Sequence, residues 1–188
     1  MIPEIGHFAL ILALSMALAQ SVLPLIGASS GNRTWIALAK PSAHAQFLFM
    51  LIAYGCLTWA FVTDDLSVAL AANHSNSLLP THYKFTAVWG NHEGSILLWT
   101  LILSGWTFAV SVFSKALDER TLARVLGVMG LISCGFMLFT LLTSNPFERR
   151  LPAALDGQDL NPLLQDPGMV IHPPMLYMGY VGFVVAFA

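Results

Sequence analysis

Two short segments hold most of the side chains in this sequence that are able to do chemistry. The first is WGNHEGSILLW, Trp89 to Trp99, in which His92 and Glu93 stand side by side just before a long uncharged run. Two ionisable groups beside a membrane-length helix are costly unless they find partners or ligands. His92 and Glu93, with Trp89 next to them, are therefore candidates for a supporting shell or a helix anchor. The plainer reading of the tryptophans is an interfacial belt, with Trp89 at headgroup level and Trp99 and Trp106 on one helical face. Ser95 is placed to cap the helix, and Glu93 to sit near its positive end.

The second segment runs from Asn145 to Gly182 and contains six prolines, two Asn-Pro steps and an Asp-Pro-Gly step. Such a composition predicts a rigid, non-helical loop. Near its end His172 precedes Pro173 and Pro174. A residue before proline is pushed toward extended geometry, while proline itself suits the first turn of a helix. His172 is thus expected on a stiff shoulder above the last helix rather than inside it. An imidazole there can ligate a haem iron lying across the membrane face, or it can be an interfacial histidine bonded to a carbonyl. Arg149 and Arg150 offer guanidinium forks that suit carboxylates such as haem propionates. Their plainer reading is a solvated flank, since exposed ion pairs contribute little.

Other chemistries find no support. Cys56 and Cys134 lie far apart within apolar runs, which fits small packing residues and not a CxxC motif. There is no zinc spacing, phosphate loop or nucleophile elbow, and a net charge of -2 with scattered basic residues does not suit nucleic acid.

The elements that must position these residues are set by hydropathy. Of 188 residues, 56% are hydrophobic and 10% charged, whereas soluble domains carry roughly 25% charged residues. Crossing a bilayer takes about 20 apolar residues per helix. Five stretches approach that length, at about 5–26, 43–62, 95–113, 122–142 and 169–188, uncharged except for Arg124. The fold class is therefore all-α, a single polytopic transmembrane bundle over 1–188. Its last helix is still apolar at Ala188, an ending that reads as cut. Without a basic flank before it, the first stretch is expected to stay in the protein instead of being cleaved as a signal peptide.

Loop parity gives an orientation. One side carries Arg33, Lys40, Lys115, Arg120 and Arg124; the other carries Lys84, Arg149 and Arg150 and the long links 63–94 and 143–168. The amino terminus and these long loops should face outward, toward the periplasm in a bacterium. His7, His74, His82, His92 and His172 fall on that outer side and only His44 on the inner. None is near mid-depth, where a b-haem held between helices usually takes its imidazoles.

The opening MIPEIGHFAL, the segment WGNHEGSILLW followed by SGWTFAV, the TSNPF turn and the long string DLNPLLQDPGMVIHPPMLYMGYVGF closely resemble the amino-terminal part of the CcmF family, the cytochrome c-type biogenesis haem lyase subunits. The resemblance spans nearly the whole chain. It implies handling of haem b at the outer face of the bacterial inner membrane. It also implies attachment of the haem vinyl groups to the CxxCH cysteines of apocytochrome c, with the haem chaperone CcmE and with CcmH and CcmI as partners. The first outer axial histidine of the family matches His172 in its PGMVIHPPMLYMGY setting. The tryptophan-rich WWD segment, the second outer histidine and the two transmembrane histidines of the family are expected beyond Ala188. This stretch should therefore supply at most one axial ligand and act only within the complete protein or complex. Composition alone also admits a membrane anchor or scaffold of a respiratory or transport complex. The missing mid-depth histidine pair counts against a haem- or quinone-binding anchor, and the lack of an intramembrane acid or broken apolar helix counts against a transporter.

Overall fold

The computed structural model describes residues 1–188. The chain forms α1 (Ile2–Ser30), α2 (Arg33–Ala37), α3 (Ala39–Val62), α4 (Ala69–His74), α5 (Thr81–Ala87), α6 (His92–Phe113), α7 (Glu119–Leu142) and α8 (Pro167–Phe187), with a 3₁₀ turn at Pro162–Gln165. Five of these, with α2 and α3 counted as one, are long and apolar enough to cross a membrane. The all-α bundle read from hydropathy is the observed fold.

Most of the helices begin earlier than the apolar runs suggest, because their first turns are set by caps and not by hydropathy. Asn91 caps α6 by accepting from the Gly94 N–H at 2.7 Å. Asp118 caps α7 through the N–H groups of Arg120 and Thr121. Asp166 caps α8 through those of Gly168 and Met169, with Pro167 at the first helical position. The cap assigned to Ser95 therefore belongs to Asn91. Polar residues such as Glu93 and Glu119 lie inside the first turns, where acidic groups complement the helix dipole.

Helix α1 is the centre of the bundle, packed between α3 and α7, while α6 bridges α3 and α7. Its buried stripe is built from small residues, Gly6, Ala9, Ala13, Ala17 and Ser21. Small side chains let membrane helices approach closely and gain dispersion contacts that lipid cannot displace. The approach to α7 is close enough that a Cβ on Gly130 would lie 3.2 Å from the Ala17 carbonyl oxygen. The same gap admits the Gln20 side chain, whose Nε2 donates to the Leu126 carbonyl at 2.6 Å and ties α1 to α7. On the opposite face of α3, His44 shares a hydrogen bond with Ser111 of α6 at 2.8 Å.

The amino terminus, the segment between α3 and α6 and the segment between α7 and α8 gather at one end of the bundle. The first long link is not an open loop, since it folds into α4 and α5. Arg149 joins all three pieces: its Nε lies 3.1 Å from Glu4 and its Nη1 3.3 Å from Asp65, while its backbone bridges Val68. Burial pushes the Asp65 carboxyl up, but the Ser67 hydroxyl and the Arg149 guanidinium outweigh it and hold the group below the usual carboxylate range. Asp156 binds the backbone N–H and hydroxyl of Ser77. The donated Ser77 and Gly157 N–H groups hold its carboxyl below the usual range as well.

The most enclosed charge at this end is Lys84, 5% exposed, paired with Asp64. Asp64 adopts φ 53°, a left-handed conformation that Asp and Asn tolerate better than other side chains. Removing one partner of a buried pair leaves an uncompensated charge, at a cost of about 3 kcal/mol. Asp64→Asn, which keeps the backbone preference, should accordingly lower the thermal unfolding midpoint in detergent. Adding Lys84→Met should recover most of that loss, and an Asp64→Asn variant as stable as the parent would show the pair to be dispensable.

Candidate functional site

The residues singled out by the sequence converge where α6 and α8 begin. The turn before α6 is stapled to itself: Asn91 Nδ2 donates to the Ala87 carbonyl at 2.8 Å, and the Ser95 hydroxyl donates to the Trp89 carbonyl at 2.7 Å. The first turn of α6 folds back so tightly that a Cβ on Gly94 would sit 1.6 Å from the Val88 carbonyl oxygen. Only glycine fits that contact. The 3₁₀ turn at Pro162–Gln165 is tied to α5 through the Tyr83 hydroxyl, which donates to the Gln165 carbonyl at 2.9 Å. Asp166 follows at once and starts α8.

Helix α8 overturns one expectation. His172 does not stand on an extended shoulder; it lies inside the helix, and so do Pro173 and Pro174. The Asp166 cap and Pro167 start the helix five residues earlier, and that signal outweighs the local bias of a residue before proline. The stretch from Pro167 to Gly182 is therefore helical, and the non-helical part of the proline-rich segment ends at Asp166. Two prolines in a helix interior remove two N–H donors, so the carbonyls of Met169 and Val170 lose their partners four residues on. Trp89 supplies a replacement for one of them: its indole Nε1 donates to the Val170 carbonyl at 3.2 Å.

Further along, Trp106 Nε1 donates to the Met178 carbonyl at 3.1 Å, and the Tyr177 hydroxyl donates to Ser95 Oγ at 3.3 Å. The Trp99 ring packs against Phe136 and Tyr177, with ring centres 5.7 Å apart in each case. The tryptophans that suggested an interfacial belt thus form the contact that holds α8 against α6. Only Trp99 and Trp106 carried a signal for it, their seven-residue spacing on one helical face. Their partners in α8 carry no sequence signal beyond being helical.

These contacts enclose an open cleft of about 540 Å³ lined by Trp89, His92, Ser95, Trp99, Leu164, Pro173 and Tyr177, among others. His92 lies at its edge, bound to the Ser144 hydroxyl at 3.0 Å and edge-on to Phe139. Glu93 is half-buried in the first turn of α6 and forms no ion pair. His172 is adjacent to Pro173 but does not line the cleft; it is exposed and bonded to no carbonyl or side chain. The carbonyl-bonded reading of His172 is therefore not realised. Arg149 is committed to Glu4 and Asp65, whereas the exposed Arg150 uses only its backbone N–H, toward Ser67. No three His, Cys, Asp or Glu side chains form a cluster that could hold a metal ion by themselves.

Residues 89–188, just over half of the chain and the part that builds this cleft, match the family described as cytochrome C assembly protein. The chain belongs to that family. Curated relatives sharpen the assignment. The cytochrome c-type biogenesis protein CcmF of Pseudomonas aeruginosa is 67% identical over all of this chain and 29% of its own length. CcmF of Escherichia coli is 52% identical over the same shares. A solved structure titled cytochrome c haem lyase CcmF superimposes with a TM-score of 0.85 at 30% identity, covering the whole chain and 29% of that protein. The chain thus spans under a third of the length of the curated relatives it matches, and it corresponds to their amino-terminal part. Membership in this family places it in cytochrome c biogenesis.

The Trp89 bond is the most testable part of this geometry. Trp89→Phe keeps an aromatic ring and removes only the donor to Val170, which should cost about 1–2 kcal/mol. Hydrogen exchange should quicken across the first turns of α8 by roughly tenfold, while α1, α3 and α7 keep their protection. Unchanged exchange in α8 would show that the freed carbonyl does not need the indole.

Proposed function

We propose that this chain forms the opening part of a cytochrome c haem lyase subunit and presents His172 as an axial ligand to haem iron. The observation that carries the reading is the state of the imidazole: His172 is exposed and lacks both a hydrogen bond and an aromatic partner. The remaining outer histidines are engaged, His74 with the Leu70 carbonyl, His92 with Ser144, His7 against Phe147 and His82 against Tyr83. The faces of Trp89, Trp99 and Tyr177 in the neighbouring cleft suit a flat macrocycle. The residues present therefore fit haem through one ligand, and a second has to come from another segment or subunit.

When bound, haem supplies the vinyl carbons to which the thiols of a CxxCH motif add. The contribution of this chain is positional. A rigid α8, fixed by Trp89, Trp99 and Trp106, would hold the ligand at a constant height above the bundle, and orientation of this kind is worth several kcal/mol in a reaction between two bound groups. Arg150 retains the proposed propionate role, while Arg149 would have to surrender Glu4 or Asp65 to take it. His92, Glu93 and Trp89 act as the supporting shell. The reading extends to haem b as the substrate and to CcmE, CcmH, CcmI and apocytochrome c as partners. It sets the amino terminus and long loops in the periplasm of a bacterial inner membrane, in line with the count of basic residues on the two sides.

His172→Ala in the full-length protein is the direct test. The exposed, unbonded side chain should be removable with a stability change within about 0.5 kcal/mol. Membrane levels of the protein should therefore stay normal while c-type cytochrome maturation and co-purified haem fall sharply. Normal maturation would remove His172 from the mechanism. A joint loss of maturation and protein would make it a structural residue.

A further inference from the structure

The end of the bundle opposite the amino terminus carries a second concave site. Between α2, the start of α3, the α6–α7 turn and the first turn of α7 lies a cleft of about 480 Å³. Its floor is apolar: Ile36, Ala39, Leu122 and Ala123 are buried and continue into a small core with Val110 and Leu126. Its mouth carries Lys40, Lys115 and one carboxylate, Glu119, all exposed. Arg33, Arg120 and Arg124 are exposed on the same end.

None of these five basic residues takes part in an ion pair. Every ion pair of the chain lies at the other end, among Met1, Glu4, Asp64, Asp65, Lys84 and Arg149. Asp118, the remaining acid beside the cleft, spends its carboxylate on capping α7. The site therefore combines two ammonium groups that form no ion pair, an apolar floor and the ends of three long helices. A free inorganic anion needs no apolar floor, and a zwitterionic headgroup would bring its own cation against the lysines. Basic pockets between membrane helices suit anionic headgroups.

We propose that this cleft binds an anionic phospholipid, its phosphodiester between Lys40 and Lys115 and the first acyl methylenes on Ile36, Ala39 and Leu122. Glu119 then sets an upper limit on affinity by repelling the same headgroup. The lipid would join α2 and α3 to the α6–α7 turn, which meet here without any ion pair of their own.

Native mass spectrometry of the full chain released from micelles tests this, with phosphatidylglycerol and phosphatidylcholine of identical acyl chains added at equal concentration. Phosphatidylglycerol should be retained roughly tenfold in preference. Lys40→Gln with Lys115→Gln should bring the two lipids to parity, each single change should give an intermediate value, and Glu119→Gln should raise the preference. Arg33→Gln, outside the cleft, should leave it nearly unchanged. Equal retention of both lipids by the unsubstituted chain would overturn the proposal. So would an unchanged preference in the double variant, or an Arg33→Gln effect as large as that of Lys40→Gln. Displacement of phosphatidylglycerol by millimolar inorganic phosphate would identify a free-anion site and overturn the lipid assignment.

Discussion

A backbone carbonyl freed from its helix beside a membrane has little water to turn to, so a donor from the protein is favoured. The contact between α6 and α8 is organised around that constraint. Pro173 and Pro174 release two carbonyls in α8, and the indole of Trp89 reaches across from the turn before α6 to bind one of them. The turn that carries Trp89 is in turn fixed by Asn91, Ser95 and the close contact at Gly94. The cleft and the placement of α8 against α6 follow from that chain of contacts.

The packing of α1 obeys a different rule. Along its length it packs through alanine, glycine and serine, and adhesion comes from short distances instead of large side chains. Only Val181 of α8 is buried, so this helix owes its place to polar bonds from tryptophan and tyrosine and to aromatic packing at Trp99. The two modes divide the molecule into a tightly packed bundle of α1, α3, α6 and α7 and a fifth helix hung on it from one side.

Much of this was legible in the residues. Long uncharged runs located the five spans. The cleft was less readable. Helix starts were misplaced because hydropathy sees hydrocarbon and not caps; Asn91 and Asp166 were the better markers. The His-Pro-Pro step was judged by its local preference alone, although Asp166 and Pro167 had already committed the chain to helix. Arg149 looked free because Glu4 and Asp65 are distant in sequence, and no local pattern announces a partner that far away. The resemblance of the motif strings to a known family did carry through to the fold.

The Arg149 junction also has an implication for how the molecule is made. Glu4 is among the first residues to emerge from the ribosome, yet its partner follows only after α1, α3, α6 and α7 have been synthesised. At about 5–20 residues per second, that leaves the amino terminus unclamped for roughly 7 to 30 seconds of translation. Until then α1 is held by its small-residue stripe and the Gln20 bond to Leu126, and the ionic knot can close only once the fourth span has been threaded. Arg149 works as a latch on a finished insertion, not as a guide for it.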